Sequence, residues 1–269
     1  MLKKILIISA YVLLAGVLIA YFYFSTVITE KKKMGELCRS IKVVVLDSAE
    51  IGFISREEIA EVIVDNGIRP GESKLRHINN YQLELVLNKK TAVKKSEVSY
   101  SRDGILRVDI IQRKPVLRLE TENGGFYMDE SAYIFPLIKS FAPFVPVVSG
   151  EIPLGIAPGY HGYIKKNQDW ANSLRDLGVY ILNNDSWNTL VEQIYVDEKG
   201  LLSFIPRDGN FEVVFGNIEK IDYKFRKLYA FYKDILPNVG PDMYRSVNLQ
   251  FDNQIVCKKN KKTDKNLEI

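Results

Sequence analysis

Histidine and cysteine are scarce, with two of each in 269 residues. His77 and His161 lie far apart and stand at no metal-type spacing to each other, to Cys38 or to Cys257. Both read as surface or loop histidines, and no metal or other cofactor is expected. The charge of one sign is also small in excess: Lys and Arg number 37, Asp and Glu 33, for a net charge of +4. That balance, with no dense basic stripe, argues against a nucleic-acid partner. Neither G-x-S-x-G nor S-x-x-K occurs, so a serine nucleophile has no recognisable setting. A Gly-rich phosphate loop with its lysine is missing, and the "RDGN" stretch lacks the rest of a calcium loop. Of the paired carboxylates, Glu57–Glu58 belong to a helix start and Asp129–Glu130 to a turn. These absences point away from an enzyme. Two cysteines could pair in an oxidising compartment, but nothing in the sequence brings Cys38 near Cys257, and a half-buried thiol is the expectation for Cys257.

What the chain does have is a long apolar run, "ILIISAYVLLAGVLIAYFYFSTVI" over residues 5–28, with no charged residue. About 20 apolar residues suffice for a helix to cross a bilayer. Tyr21, Phe22, Tyr23 and Phe24 crowd its far end as an interfacial aromatic belt would. A cleavable signal peptide has a shorter apolar stretch and small residues at its end, so the run reads as a retained single transmembrane helix. Lys3 and Lys4 flank one side and Lys31, Lys32, Lys33 and Arg39 the other, which leaves the orientation open.

The rest is globular, and 269 residues allow one large or two small folded units. A strand is expected over 41–46. A helix follows over 54–67, opened by the capping box Ser55/Glu58 and stopped at Gly67. A second helix spans 79–91, and a hairpin turning at Arg102–Gly104 completes a β-α-α-β-β unit. Beyond it the chain reads as a mostly antiparallel β domain with two helices. Expected there are a hairpin near 129–132, a strand at an edge or bend near Pro146, and a loop over 151–163. A short helix follows over 168–178, then three strands in 193–216 and a longer helix through Phe225 and Leu228 that Pro237 ends. The alternation Val247, Leu249, Phe251, and after a break Ile255 and Cys257, reads as a half-buried last strand. It has no proline and Asp252 as its sole charge, so its edge is expected to be open to another chain's strand.

The N-terminal anchor, the β-α-α-β-β unit, the join "VDIIQRKPVLRL" (108–119) with "YMDESAYIFP" (127–136), and the ending "YRSVNLQFDNQIVCK" (244–258), taken in order, resemble the bacterial cell-division family FtsQ/DivIB. The fold class implied is α+β: a single N-terminal transmembrane helix, a POTRA-like domain and a β domain. The implied boundaries are 1–29 for a short cytoplasmic N-terminus and anchor, 30–39 for a linker, 40–118 for the POTRA-like domain, 119–258 for the β domain and 259–269 for a basic tail. The stretch 151–166 reads as a family-variable insertion.

The resemblance implies a non-enzymatic divisome scaffold in the inner membrane at the septum, with its N-terminus cytoplasmic and the bulk of the chain outside. Implied partners are division proteins of the FtsB/DivIC and FtsL type, septal peptidoglycan synthases and FtsK. The family binds a small coiled-coil partner, FtsB or DivIC, through the exposed end of its β domain. Carried over, the contacts are Tyr244, Gln250, Phe251, Asn253, Gln254, Ile255 and Val256 on a C-terminal edge strand. Phe251 stands where the family places an aromatic, and Gln250 where some members carry arginine. The plainer alternative puts Phe251 in the core and the tail, 258–269, over the edge. Two other functions compete. One is a POTRA-bearing component of outer-membrane protein secretion or assembly, whose barrel the remaining residues are too few to build. The other is an anchored envelope hydrolase, which lacks a nucleophile or metal set.

Overall fold

The computed structural model describes residues 12–27, 37–101 and 103–260. Residues 12–27 form helix α1, whose side chains are exposed along almost its whole length, Leu13 at 70% and Phe22 at 65% among them. Among the described residues no helix is long and apolar enough to cross a membrane. Part of the run read as an anchor, residues 5–11 and Ile28, lies outside the described residues.

The globular chain divides into two compact units, Met1–Gln112 and Arg113–Ile269. The first contains β1 (Ser40–Val45), α2 (Arg56–Asp65), α3 (Asn80–Leu87), β2 (Val93–Tyr100) and β3 (Ile105–Gln112), with a 3-10 turn at Leu75–His77 before α3. Its three-stranded sheet has the order β1-β3-β2, with β1 parallel and β2 antiparallel to β3. Half of the expected capping box forms: the Ser55 hydroxyl accepts from the Glu58 N–H at 3.0 Å, while the Glu58 carboxylate pairs with Lys90 instead of turning back to the Ser55 N–H. Asn79 caps α3 in the same way, accepting from Gln82 N–H at 3.1 Å. Ile59 and Ile63 on α2, Leu87 on α3, and Leu106, Val108 and Ile110 of β3 are all fully buried. Arg102, at the expected hairpin turn, lies outside the described residues. Cys38 is buried, its N–H donating to Ser73 O at 2.8 Å, and both cysteines are free thiols. Gln112 closes the unit: its side chain accepts from Ile54 N–H at 2.9 Å and donates to Asp47 and to Ile51 O at 3.0 and 2.7 Å.

The second unit is one 10-stranded sheet, order β13-β12-β11-β10-β9-β7-β4-β5-β6-β8. Its strands are β4 (Pro115–Thr121), β5 (Gly124–Asp129), β6 (Tyr133–Pro136), β7 (Val147–Gly150), β8 (Gly162–Tyr163), β9 (Gln193–Val196), β10 (Leu202–Phe204), β11 (Glu212–Gly216), β12 (Tyr244–Asn248) and β13 (Val256–Lys259). Most pairings are antiparallel; β4–β7, β7–β9 and β11–β12 are parallel. Between strands lie α4 (Gln168–Leu182), α5 (Asp185–Leu190), α6 (Ile221–Ala230) and α7 (Leu236–Val239). Phe225 of α6 sits in an aromatic cluster, with ring centroids 5.0 Å from Tyr180, 4.9 Å from Trp187 and 5.5 Å from Phe215.

Several expectations are corrected here. β7 is not at an edge but lies between β4 and β9, because Pro146 precedes the strand and removes no ladder donor; its carbonyl accepts from Arg118 N–H at 3.0 Å. The helix expected to stop at Gly178 runs on to Leu182. The domain also has more than two helices, since α5 and α7 were not foreseen. Pro237 does not end the α6 helix. The backbone widens into a π turn over Phe231–Ile235 and continues through the proline to Val239, where Gly240 (φ 81) terminates it. A π turn relieves the clash a proline ring makes with the preceding turn. The turn at Asp129 is as expected, and the carboxylate is wholly buried. It accepts from Ser131 N–H, Ser131 hydroxyl and Tyr133 N–H at 2.8, 2.6 and 2.9 Å, and from Arg113 at 2.8 Å.

Candidate docking site at the sheet edge

Residues 247–257 do not form the single edge strand expected of them. The chain reverses after Leu249 and returns as β13, which pairs antiparallel with β12 through Val247↔Cys257 and Asn248↔Val256. The reversal occurs because Asn253 takes the left-handed conformation (φ 59), which asparagine tolerates better than most residues. The sheet edge is therefore β13, four residues long, and among the described residues it pairs with β12 alone.

The sequence-derived site residues consequently fall into three places. Tyr244 is in β12, half-buried, with its ring 5.8 Å from that of Phe231. Gln250, Phe251, Asn253, Gln254 and Ile255 make the turn and its exit, and Val256 opens β13. Phe251 is 46% exposed and Val256 39%, so neither belongs to the core, whereas Ile255 packs partly against it. The Gln250 side chain lies over Gly216 (φ +79), where an added Cβ would come within 2.5 Å of Gln250 Cγ. Lys258 and Lys259, which the alternative reading put in a covering tail, are part of the edge strand itself, and residues 261–269 of that tail lie outside the described residues.

A second set of residues, from α6, was not anticipated. Tyr223 and Lys227, one turn apart on α6, and Lys220 at its N-cap (φ 50) all reach the turn. Lys220 Nζ is 2.9 Å from both Asp252 carboxylate oxygens. Tyr223 hydroxyl accepts from Asn253 N–H at 2.7 Å and donates to Asn253 Oδ1 at 3.1 Å. Lys227 Nζ donates to the carbonyls of Leu249, Phe251 and Gln254 at 2.7, 2.6 and 3.3 Å. The Lys220 ammonium holds the Asp252 carboxyl below the usual carboxylate range. Burial pushes the Lys227 amine below that of free lysine. The signal that could have revealed this set is three polar residues on the face of a helix that also carries Phe225 and Leu228. Their targets, some thirty positions away, leave no trace in local sequence.

The arrangement offers a short strand edge beside a turn whose outer surface carries an exposed aromatic ring and two amide side chains. Its donors and acceptors suit main-chain pairing with an extended segment. With the small β-α-α-β-β unit, this defines a two-module protein: a POTRA-like domain followed by a large mixed sheet with helices. Residues 36–111 match the POTRA-like domain, and residues 114–258 match the family described as FtsQ/DivIB, C-terminal related. The chain belongs to the FtsQ/DivIB family. No curated protein matches it in sequence.

Proposed function

We propose that this chain is a non-enzymatic, membrane-anchored scaffold of the bacterial divisome that recruits and regulates septal cell-wall synthesis proteins. On this reading residues 5–28 are a single-pass anchor in the inner membrane with a cytoplasmic N-terminus, and the two folded units lie outside it at the septum. The exposed apolar side chains of α1 support the anchor. Membership of a family of non-catalytic scaffolds supports the absence of enzymatic activity.

The observation that carries the reading is the β13 edge, which among the described residues pairs with β12 alone, beside its exposed turn. A division protein of the FtsB/DivIC type adds a strand there, contacting Phe251 and Gln254 on the turn and Val256 on the edge; Gln250 and Asn253 shape the turn, and Tyr244 and Ile255 support it from behind. FtsL-type proteins, septal peptidoglycan synthases and FtsK are further partners the family suggests. Two lysines on β13 oppose pairing of the edge with a second copy of itself, since like charges would face each other. They leave it open to a different chain.

The test is Val256→Pro. Proline is tolerated at the first residue of a strand but disturbs the ladder locally. The full chain carrying it is expected to keep its melting temperature within a few degrees. Its binding to the purified FtsB- or DivIC-type protein of the same organism should weaken about tenfold, the equivalent of one good hydrogen bond. A folded variant that binds like the parent would remove β13 from the docking site.

A further inference from the structure

We propose that Lys227, with Tyr223 and Lys220, is a positioning device that holds the turn at 249–254 in its docking shape. This rests on the docking reading above.

Sheet hydrogen bonding reaches Leu249, whose N–H donates to Val214 O at 3.0 Å. Beyond that residue the turn is held largely from the side by α6. An ammonium has three donors. Lys227 directs its donors at three carbonyls drawn from both ends of the reversal, Leu249 and Phe251 on the way in and Gln254 on the way out. A single cation thus ties the end of β12 to the start of β13. The Tyr223 hydroxyl fixes the middle by holding the N–H and side-chain oxygen of Asn253, the residue in the left-handed conformation. Lys220 holds the remaining charge, Asp252. The Lys227 ammonium also lies 5.1 Å from the centroid of the Tyr223 ring, so the two anchors support each other.

The exposed residues Phe251 and Gln254 take their directions from backbone groups that Lys227 fixes. Rigid presentation lowers the ordering cost of binding. The hydrogen bonds are charge-assisted, so one substitution in α6, a helix that contributes no contact residue of its own to the edge, should alter docking at a distance.

Lys227→Met keeps the length of the aliphatic stem and removes the donors. In the full chain, amide hydrogen exchange over 250–256 is expected to quicken about tenfold while the rest of the sheet keeps its protection. Affinity for the FtsB- or DivIC-type protein should fall by a similar factor. Tyr223→Phe, which loses only the hydroxyl, should give a smaller change of the same kind and serves if Lys227→Met does not fold. Arg226→Met, on the exposed side of α6, should match the parent in both measurements. Unchanged exchange over the turn in a folded Lys227→Met chain would overturn the positioning role. Faster exchange with parental affinity would overturn its bearing on docking. A parent chain that does not bind the partner would overturn the docking reading, and exchange would still decide whether the clamp exists.

Discussion

Two buried charges show how single residues define this molecule. Asp129 is fully buried and Arg113 only 11% exposed, with 2.8 Å between them and the Arg113 guanidinium 3.3 Å above the Tyr133 ring. Removing one member of such a pair strands the other charge in a poor solvent, at a cost of about 3–5 kcal/mol. Asp129→Ala also strips the acceptors from Ser131 and Tyr133, so a loss in that range is expected from urea unfolding. Lys224 is the other case. It is 4% exposed, donates to Asn217 O and Oδ1 at 2.6 and 2.8 Å, and lies 4.7 Å from the Phe215 ring centroid. Burial outweighs those contacts and pushes its amine down to about 8. An unfolded lysine titrates near ~10.4. Between those values the unfolded chain holds a proton the folded chain has released, so stability rises with pH across that window. Below about 8 both states are protonated and the slope vanishes. Unfolding of the parent and of Lys224→Met at about pH 7.5 and about pH 9.5 should show the parent gaining relative to the variant at the higher pH. Equal changes in the two chains would contradict the depressed amine.

At the scale of elements, legibility in sequence tracks where the determining contacts lie. The β-α-α-β-β unit is readable because its signals are local: Ser55 with Glu58, the Leu83–Leu87 step, the alternation through β3. Gly178 misleads because glycine is the usual helix stop, whereas here it makes room for Leu117 from β4. A Cβ on it would stand 2.7 Å from Leu117 Cγ, and Leu117 is fully buried. Gly178→Ala should therefore destabilise by about 1–3 kcal/mol through overpacking, although alanine favours helix by about 1 kcal/mol. Thermal unfolding checks the sign; a stabilised variant would mean the Leu117 side chain yields. The hairpin β12–β13 was hidden for a different reason. Its turn, Gln250–Gln254, contains neither glycine nor proline, and α6 holds it from some thirty residues upstream. An alternating string with a break looks the same whether the break is a bulge or a reversal. The candidate site was thus legible as to its stretch of chain, but neither its hairpin geometry nor its α6 supports could be read there.

At the scale of the whole molecule, the proposed anchor makes topology testable. On the proposed reading the apolar run at 5–28 crosses the membrane before the first folded unit, with the folded units outside, although lysines flank the run on both sides. A reporter active only outside the cytoplasm, fused after Ile269, should be active. A stable full-length fusion without activity, or a mature N-terminus near residue 25, would count against the retained anchor.

Among the described residues β13 has one neighbour, and it has four residues and mostly exposed side chains. An edge strand of four residues held by one neighbour opens more readily than the strands inside the sheet, through local excursions that leave β12 paired with β11. A partner that recognises only the closed form draws on the free energy of closing, and its apparent affinity is lowered by the fraction of time the edge strand is open. Once bound, it deepens that closed state in proportion to its concentration over its dissociation constant. On the docking reading the persistence of this edge reports occupancy, and the unoccupied chain is the more exposed to proteolysis at β13.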